Sequence, residues 1–248
     1  MINQELHKQP LALDTVAHRS LRLQGKLSAA SRLAEFTSYM VTLSEFNEAA
    51  REFPIVWVNA DVDDGKQQVA PIALFGLTRG ENLFVANNLW TGAYLPAAFR
   101  AYPFTLARVQ DSEQWAVVMD RSWEGFSETE GDRLFDDLGQ PSQMLKDVHQ
   151  FVQDIEVDIE RTRLAGLRLM ELKLLSPMRF DATLPDGQKL SLDGFLTIDE
   201  KRFGELTDAE LGELHRNGLL GLIHVHRLSL GNMRRLIERR LNAAAAAA

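Results

Sequence analysis

Apolar and polar positions change their period along the chain, and the changes divide it into segments. From position 142 onward Leu145, Val148, Val152, Ile155, Ile159 and Thr162 recur at spacings of three and four. That stripe lies on one side of a 3.6-residue helix, so the pattern predicts one long amphipathic helix over 141–175. At 1.5 Å per residue such a helix is about 50 Å long, enough to pack across a sheet or to form an interface with a partner.

Upstream the helical spacing gives way to short apolar runs. "PIVWVNA", "VAPIALFGL", "NLFVAN", "FTLARV" and "QWAVVMD" are runs of β-branched and aromatic residues, separated by the turn signals "DVDDGKQQ", "TRGE" and "QDSE". They predict five short strands in a meandering antiparallel sheet. Pro71 has no amide proton to donate, which puts the start of its strand at an edge or a bulge. Ahead of these, "TLSEFNEAAREF" predicts a short helix over 43–51, with Ser44 as N-cap and an end before Pro54.

Downstream, "RFDATL" and "KLSLDGFLTI" alternate around Pro185, Asp186 and Gly187, which predicts a hairpin. Thr207 and Glu210 have capping-box spacing, opening a helix through His215 that Asn217 and Gly218 close. Residues 120–141, with Gly125, Gly131, Gly139 and Pro141 among many acids, read as a solvated loop. The fold class is α+β: a largely antiparallel sheet packed by one long amphipathic helix and a C-terminal helical segment. A single domain is expected over 1–241, with a β-rich half at 18–120, the long helix at 142–175, and the hairpin and C-terminal helices at 178–241. The poly-alanine tail at 242–248 lies outside that argument.

Composition narrows the function classes. Of 248 residues, 45% are hydrophobic and 25% charged, ordinary for a globular chain. There is no cysteine, which removes disulfides, thiolate catalysis and thiolate-bound metals together. The longest apolar runs fall well short of the roughly 20 residues that span a bilayer. The N-terminus lacks a basic start followed by an apolar stretch, so a cytoplasmic location is expected. Net charge is −8, and only "NMRRLIERR" is locally basic. Arg234, Arg235, Arg239 and Arg240 fall at the end of a predicted helix, where cations oppose its dipole, so nucleic acid is not an expected partner.

Motifs for cofactor chemistry are missing from the sequence. It contains no G-x-G-x-x-G, no P-loop, no G-x-S-x-G and no H-E-x-x-H, and no cofactor is expected. The residues two after each histidine are Gln9, Ser20, Phe151, Asn217, His226 and Leu228, so no His-x-carboxylate pair exists for a facial iron triad. "DVDDGK" begins like a calcium loop, but its glycine comes one place early.

Two concentrations of functional side chains remain. His224 and His226 are two apart in "LLGLIHVHRLSLG"; on a strand they would share a face and could bind a metal, whereas on a helix they lie about 200° apart. The flanking caps favour helix, with one ring packed inward and the other facing solvent or a carboxylate. "ANNLWTGAYLPAAFRAYPF" supplies the second concentration. Its Trp90, Tyr94, Arg100 and Tyr102 combine aromatic surface with polar handles, as in a pocket for a small molecule or peptide. Asn232 and Arg235 in "SLGNMRRL" are candidates to join it.

"HRSLRL", "FPIVWV", "ALFGLTRGENLFV", "YLPAAFRAYPFTL", "LPDGQKLSLDGFLTIDEKRF" and "LHRNGLLGLIHVHRLSLGNMRRL", spread from His18 to about Leu241, together resemble the bacterial SapC family. The resemblance implies an association with surface-layer secretion genes. It also implies gene company with TonB-dependent uptake, flavin-dependent halogenases and cupin-type hydroxylases. It brings no established catalytic residues. The expectation is an accessory protein, more a binder than an enzyme, that senses or presents a small ligand or peptide. One alternative is a metal-dependent oxygenase or hydrolase using His215, His224 and His226 with Glu213 or Asp199. Another is a secretion-associated structural subunit, a homodimer or a partner-bound protein built on the long helix.

Overall fold

The three-and-four stripe folds as one continuous helix in the computed structural model, which describes residues 2–25, 30–60, 67–109, 114–184, 187 and 189–247. Strands of three or more residues are β1 Pro10–Ala12, β2 Ser38–Met40, β3 Ile55–Ala60, β4 Gln68–Leu74, β5 Phe104–Arg108, β6 Trp115–Asp120, β7 Leu175–Thr183 and β8 Lys189–Ile198. The long helices are α1 Gln143–Glu171, α2 Asp208–Arg216, α3 Leu219–Ser229 and α4 Asn232–Ala247. The fold is α+β with antiparallel sheets, one long helix and a C-terminal helical segment. Among the described residues no helix is long and apolar enough to cross a membrane.

Two compact units divide the chain. The first is Met1–Leu33, Asn87–Leu89 and Ala97–Val157; the second is Ala34–Ala86, Trp90–Pro96 and Asp158–Ala248. In the first unit β5 and β6 pair from Phe104↔Met119 to Arg108↔Trp115, and β1 adds to the free edge of β6. Phe104, Leu106, Met119 and Phe135 form its core with Leu145 and Val152 of α1. These two helix positions are seven apart, so they come from one stripe.

In the second unit the strand order is β7-β8-β3-β4-β2. β7 and β8 make the expected hairpin, paired from Leu175↔Ile198 to Thr183↔Lys189 with an irregularity between Met178 and Phe180. The C-terminal half of α1 packs on this sheet at Gly166, where an added Cβ would lie 2.9 Å from the Val69 carbonyl oxygen. α2 opens on the expected capping box, in which Thr207 N donates to Glu210 Oε2 at 2.8 Å. It ends at Asn217, with Gly218 at φ 80°.

Several expectations change. Residues 120–141 are not a solvated loop, since Leu134 and Phe135 are buried in the first unit's core and Phe126–Ser127 and Asp132–Arg133 pair with Arg22–Leu23. Arg234 and Arg235 lie in the first turn of α4 rather than at its end. The five predicted strands do not form one meander: β3 and β4 belong to the sheet of the second unit, β5 and β6 to that of the first. Alternation marks a strand but not its partner, and the partners include the three-residue β1 and β2. "NLFVAN" gives only Val85–Ala86, because Phe84 is spent as a core plug against Phe53 and Phe75. The helix expected at 43–51 is a 3₁₀ turn Leu43–Glu45 leading into Phe46–Ala49, and its cap is Thr42 rather than Ser44. Glu45 explains the shift, since its Oε2 accepts from Thr42 N at 2.8 Å.

Pro71 lies inside β4, which has neighbours on both sides. Val41 N donates to the Pro71 carbonyl at 3.1 Å, and proline has no N–H to return the bond. The β2 ladder therefore stops at Met40↔Ile72. The turn residues Pro185 and Asp186, the "QDSE" turn and the "DVDDGK" stretch lie outside the described residues.

Candidate functional site

The turn at residues 50–53 of the second unit collects four of the six nominated binding residues. Asn232, the first residue of α4, donates from Nδ2 to the Ala50 carbonyl at 2.7 Å and the Phe53 carbonyl at 3.1 Å. Arg235, nearly one helical turn on, donates to the Arg51 carbonyl at 3.0 Å. Just before α4, Ser229 Oγ accepts from Ile55 N at 3.0 Å. "SLGNMRRL" is thus a row of polar side chains fitted to the backbone of residues 50–55, at carbonyls that a short helix leaves without internal partners.

Trp90 and Tyr94 reach the same turn. Trp90 Nε1 donates to the Tyr94 carbonyl at 2.9 Å, and Tyr94 N donates to Glu52 Oε2 at 2.9 Å. The Tyr94 hydroxyl donates to Glu45 Oε1 at 2.9 Å. Gly92 lets the strap close, because a Cβ there would sit 2.8 Å from Trp90 Nε1 and 3.1 Å from Glu52 Oε2. The Trp90 ring stacks on Phe84 at 5.8 Å and meets Phe53 and Phe75 edge-on. Both Trp90 and Tyr94 are half-buried. Their polar atoms are fixed inward and part of their surface faces out, an arrangement that loses little entropy on binding a ligand.

Charge of both signs lies at the same turn, with Glu52 bound to Tyr94 N, Arg235 on the Arg51 carbonyl and Glu48 on Arg51. Glu52 is half-buried under the strap, and Arg235 and Glu48 are exposed. A carboxylate, a guanidinium and an aromatic face on one turn suit a zwitterion or a peptide end.

Arg100 and Tyr102 fall in the first unit. Arg100 is exposed and lies over the Phe151 ring at 5.0 Å, while buried Tyr102 donates to Asp120 Oδ2 at 2.8 Å. Glu45, Glu52 and Asp120 escaped the sequence reading. The Thr42/Glu45 spacing was a legible capping box; Glu52 acts on a residue far away in sequence, and the local Asp120–Ser122 pair gives no sign of the arm that Asp120 also holds.

The paired histidines lie on helix α3 and diverge. His226 is 1% exposed and its Nε2 is 3.1 Å from Thr197 Oγ1 on β8. Burial pushes its pKa down to about 4, with the Ile55 carbonyl opposing and Arg227 adding to the fall. His224 is exposed, meets the Phe203 ring at 5.6 Å, and has its Nδ1 3.3 Å from Arg227. Glu213 is forked by Arg168 at 2.8 and 2.7 Å, and Asp199 caps a helical turn by accepting from Arg202 N. Among the described residues no group of three His, Cys, Asp or Glu side chains could hold a metal ion.

Fold and site define an α+β protein of two units, the second of which uses its C-terminal helices to brace an aromatic strap. The chain belongs to the SapC family, whose model matches residues 13–236 and so takes in parts of both units. Comparison with curated proteins and with solved structures finds no match.

Proposed function

We propose that this protein is a cytoplasmic, non-enzymatic accessory protein that binds an amino acid or a peptide end at the turn of residues 50–53. The convergence of Trp90, Tyr94, Asn232 and Arg235 on that turn carries the reading. Trp90 offers the ligand an apolar face, the Arg235 guanidinium a partner for its carboxylate, and Glu52 an acceptor for its ammonium. Asn232 acts as a brace, since its Nδ2 donates to the Ala50 and Phe53 backbone carbonyls. The gene company implied by the family resemblance, uptake receptors with peptide- or amino-acid-modifying enzymes, would place such a binder beside those enzymes.

Thermal-shift screening of the full chain against free amino acids and short peptides tests this, followed by calorimetric titration of the best ligand. Arg235→Ala removes an exposed side chain and should weaken binding about tenfold, on the order of one charged hydrogen bond. Unchanged affinity in that variant, or no stabilising compound in the screen, would reject the proposal.

A further inference from the structure

The first unit holds its N-terminal arm through a buried acid. Asp120, the last residue of β6, is 0% exposed and accepts five hydrogen bonds. Two come from the arm, Lys8 N at 3.2 Å and Gln9 N at 3.0 Å. The others come from the Tyr102 hydroxyl at 2.8 Å, Ser122 N at 3.1 Å and Ser122 Oγ at 2.7 Å. Arg32 stands 4.0 Å from Oδ2 and also donates to Ser122 Oγ.

Next to these contacts, His7 is 4% exposed with its ring 5.6 Å from that of Tyr102. Neither of its ring nitrogens makes a well-formed hydrogen bond. Residues 8–12 are all exposed, and β1 is a ladder of only three residues. Docking of the arm therefore leans on buried Leu6 and His7 and on the Asp120 carboxylate.

We propose that the arm is an acid-releasable strand: a proton taken up at His7 frees residues 7–12 and uncovers the β6 edge. The groups facing His7 favour its charged form only in part. Burial lowers its pKa below the ordinary 6.5, against the raising pull of Asp120 and the Asn3 and Phe104 carbonyls. Tyr102 offers no refuge for the proton, because burial and the Asp120 contact push its pKa up. Burial alone would raise the Asp120 pKa, but bonds from Ser122, Gln9 and Tyr102 outweigh it, so the carboxylate stays charged while His7 titrates.

The sign follows from linkage. A released His7 has the ordinary pKa and binds a proton before a docked one does. Docking is strongest above pH 6.5 and weakens as pH falls below it. The far side of β6 is already paired to β5, so release leaves one open row of backbone donors and acceptors, which an extended chain can occupy.

Hydrogen exchange on the full chain at pH 7.5, 6.5 and 5.5 tests the proposal, with rates corrected for intrinsic exchange. Protection of residues 8–13 should fall as pH drops below 6.5, with a slope of at most about tenfold per pH unit as for a single proton, while β5 keeps its protection. His7→Phe should hold the arm protected at pH 5.5. A pH-independent arm in the wild type, equal loss in His7→Phe, or loss of β5 together with the arm would each overturn it. If His7→Phe misfolds, His7→Gln, which also cannot titrate in this range, serves as the comparison, and equal acid loss there overturns the proposal.

Discussion

Asn232 donates from Nδ2 to the carbonyl of Phe53 at 3.1 Å, joining the start of α4 to the hub of the aromatic cluster. The Phe53 ring meets Phe84 at 4.7 Å and Phe75 at 5.2 Å, and Phe84 in turn stacks on Trp90. One amide thereby positions the backbone of the residue on which the strap packs. Sequence reasoning nominated Asn232 as a ligand contact; the structure gives it to the scaffold of the same site.

Asn232→Ala leaves the Ala50 and Phe53 carbonyls without this donor, and the loss should cost about 1–3 kcal/mol. Asn232→Asp should be worse, because a buried carboxylate would face two carbonyl oxygens. Urea denaturation of both variants checks the order. An aspartate variant as stable as the alanine one would show that the side chain swings away from the turn.

Tyr94→Phe deletes the hydroxyl that donates to Glu45, a carboxylate only 5% exposed. Glu45 keeps its Thr42 contact through Oε2, so the loss should be about 1.5–3 kcal/mol, as for a hydrogen bond to a charged group. Tyr94 N and its bond to Glu52 survive the substitution. The strap should therefore stay in place, with the tryptophan emission of the folded variant little changed while the unfolding midpoint falls. A large shift of the emission would mean that the hydroxyl, not the backbone bond, fixes the strap.

What the sequence made legible was local. The spacing from Leu145 to Thr162 located α1, the Thr207 and Glu210 pair located the start of α2, and the alternation around Gly187 located the β7–β8 hairpin. Each of these signals is complete within a few turns of chain. Sheet membership was not legible, because β1 and β2 are too short to show a period and pair with strands far from them in sequence. The site was half legible for the same reason. Trp90 and Tyr94 stand out as residue types, but Glu52 becomes a partner only when the strap folds back 42 residues onto it.

Stability should fall as pH drops from 6.5 towards 4, with His226 a principal cause. Its folded pKa is about 4 against 6.5 for the free side chain. The group therefore stabilises the fold above pH 6.5, and that contribution is lost as the unfolded chain takes up the proton. Complete loss amounts to about 3 kcal/mol at 1.36 kcal/mol per unit. His226→Gln cannot titrate and offers Thr197 an amide partner, so its stability should depend less on pH in this window. Comparing denaturation midpoints at pH 7.5 and 5 in the two proteins isolates His226 from His7. Parallel pH profiles would exclude it.

Two glycine-to-alanine changes in helices should move stability in opposite directions. In a helix interior alanine is favoured over glycine by about 1 kcal/mol. At Gly221, exposed on α3 with nothing within 4 Å of an added Cβ, that gain should appear almost in full. At Gly166 the new Cβ would sit 2.9 Å from the Val69 carbonyl oxygen and 3.0 Å from the Val69 side chain. Val69 is paired with Asn59 in the β3–β4 ladder, so its carbonyl cannot retreat without disturbing the sheet. Overpacking of this kind costs about 1–3 kcal/mol, enough to cancel or exceed the helix gain. Gly166→Ala should therefore unfold at lower urea than the wild type and Gly221→Ala at higher. Stabilisation in both variants would mean that α1 does not approach the sheet as closely at Gly166 as described.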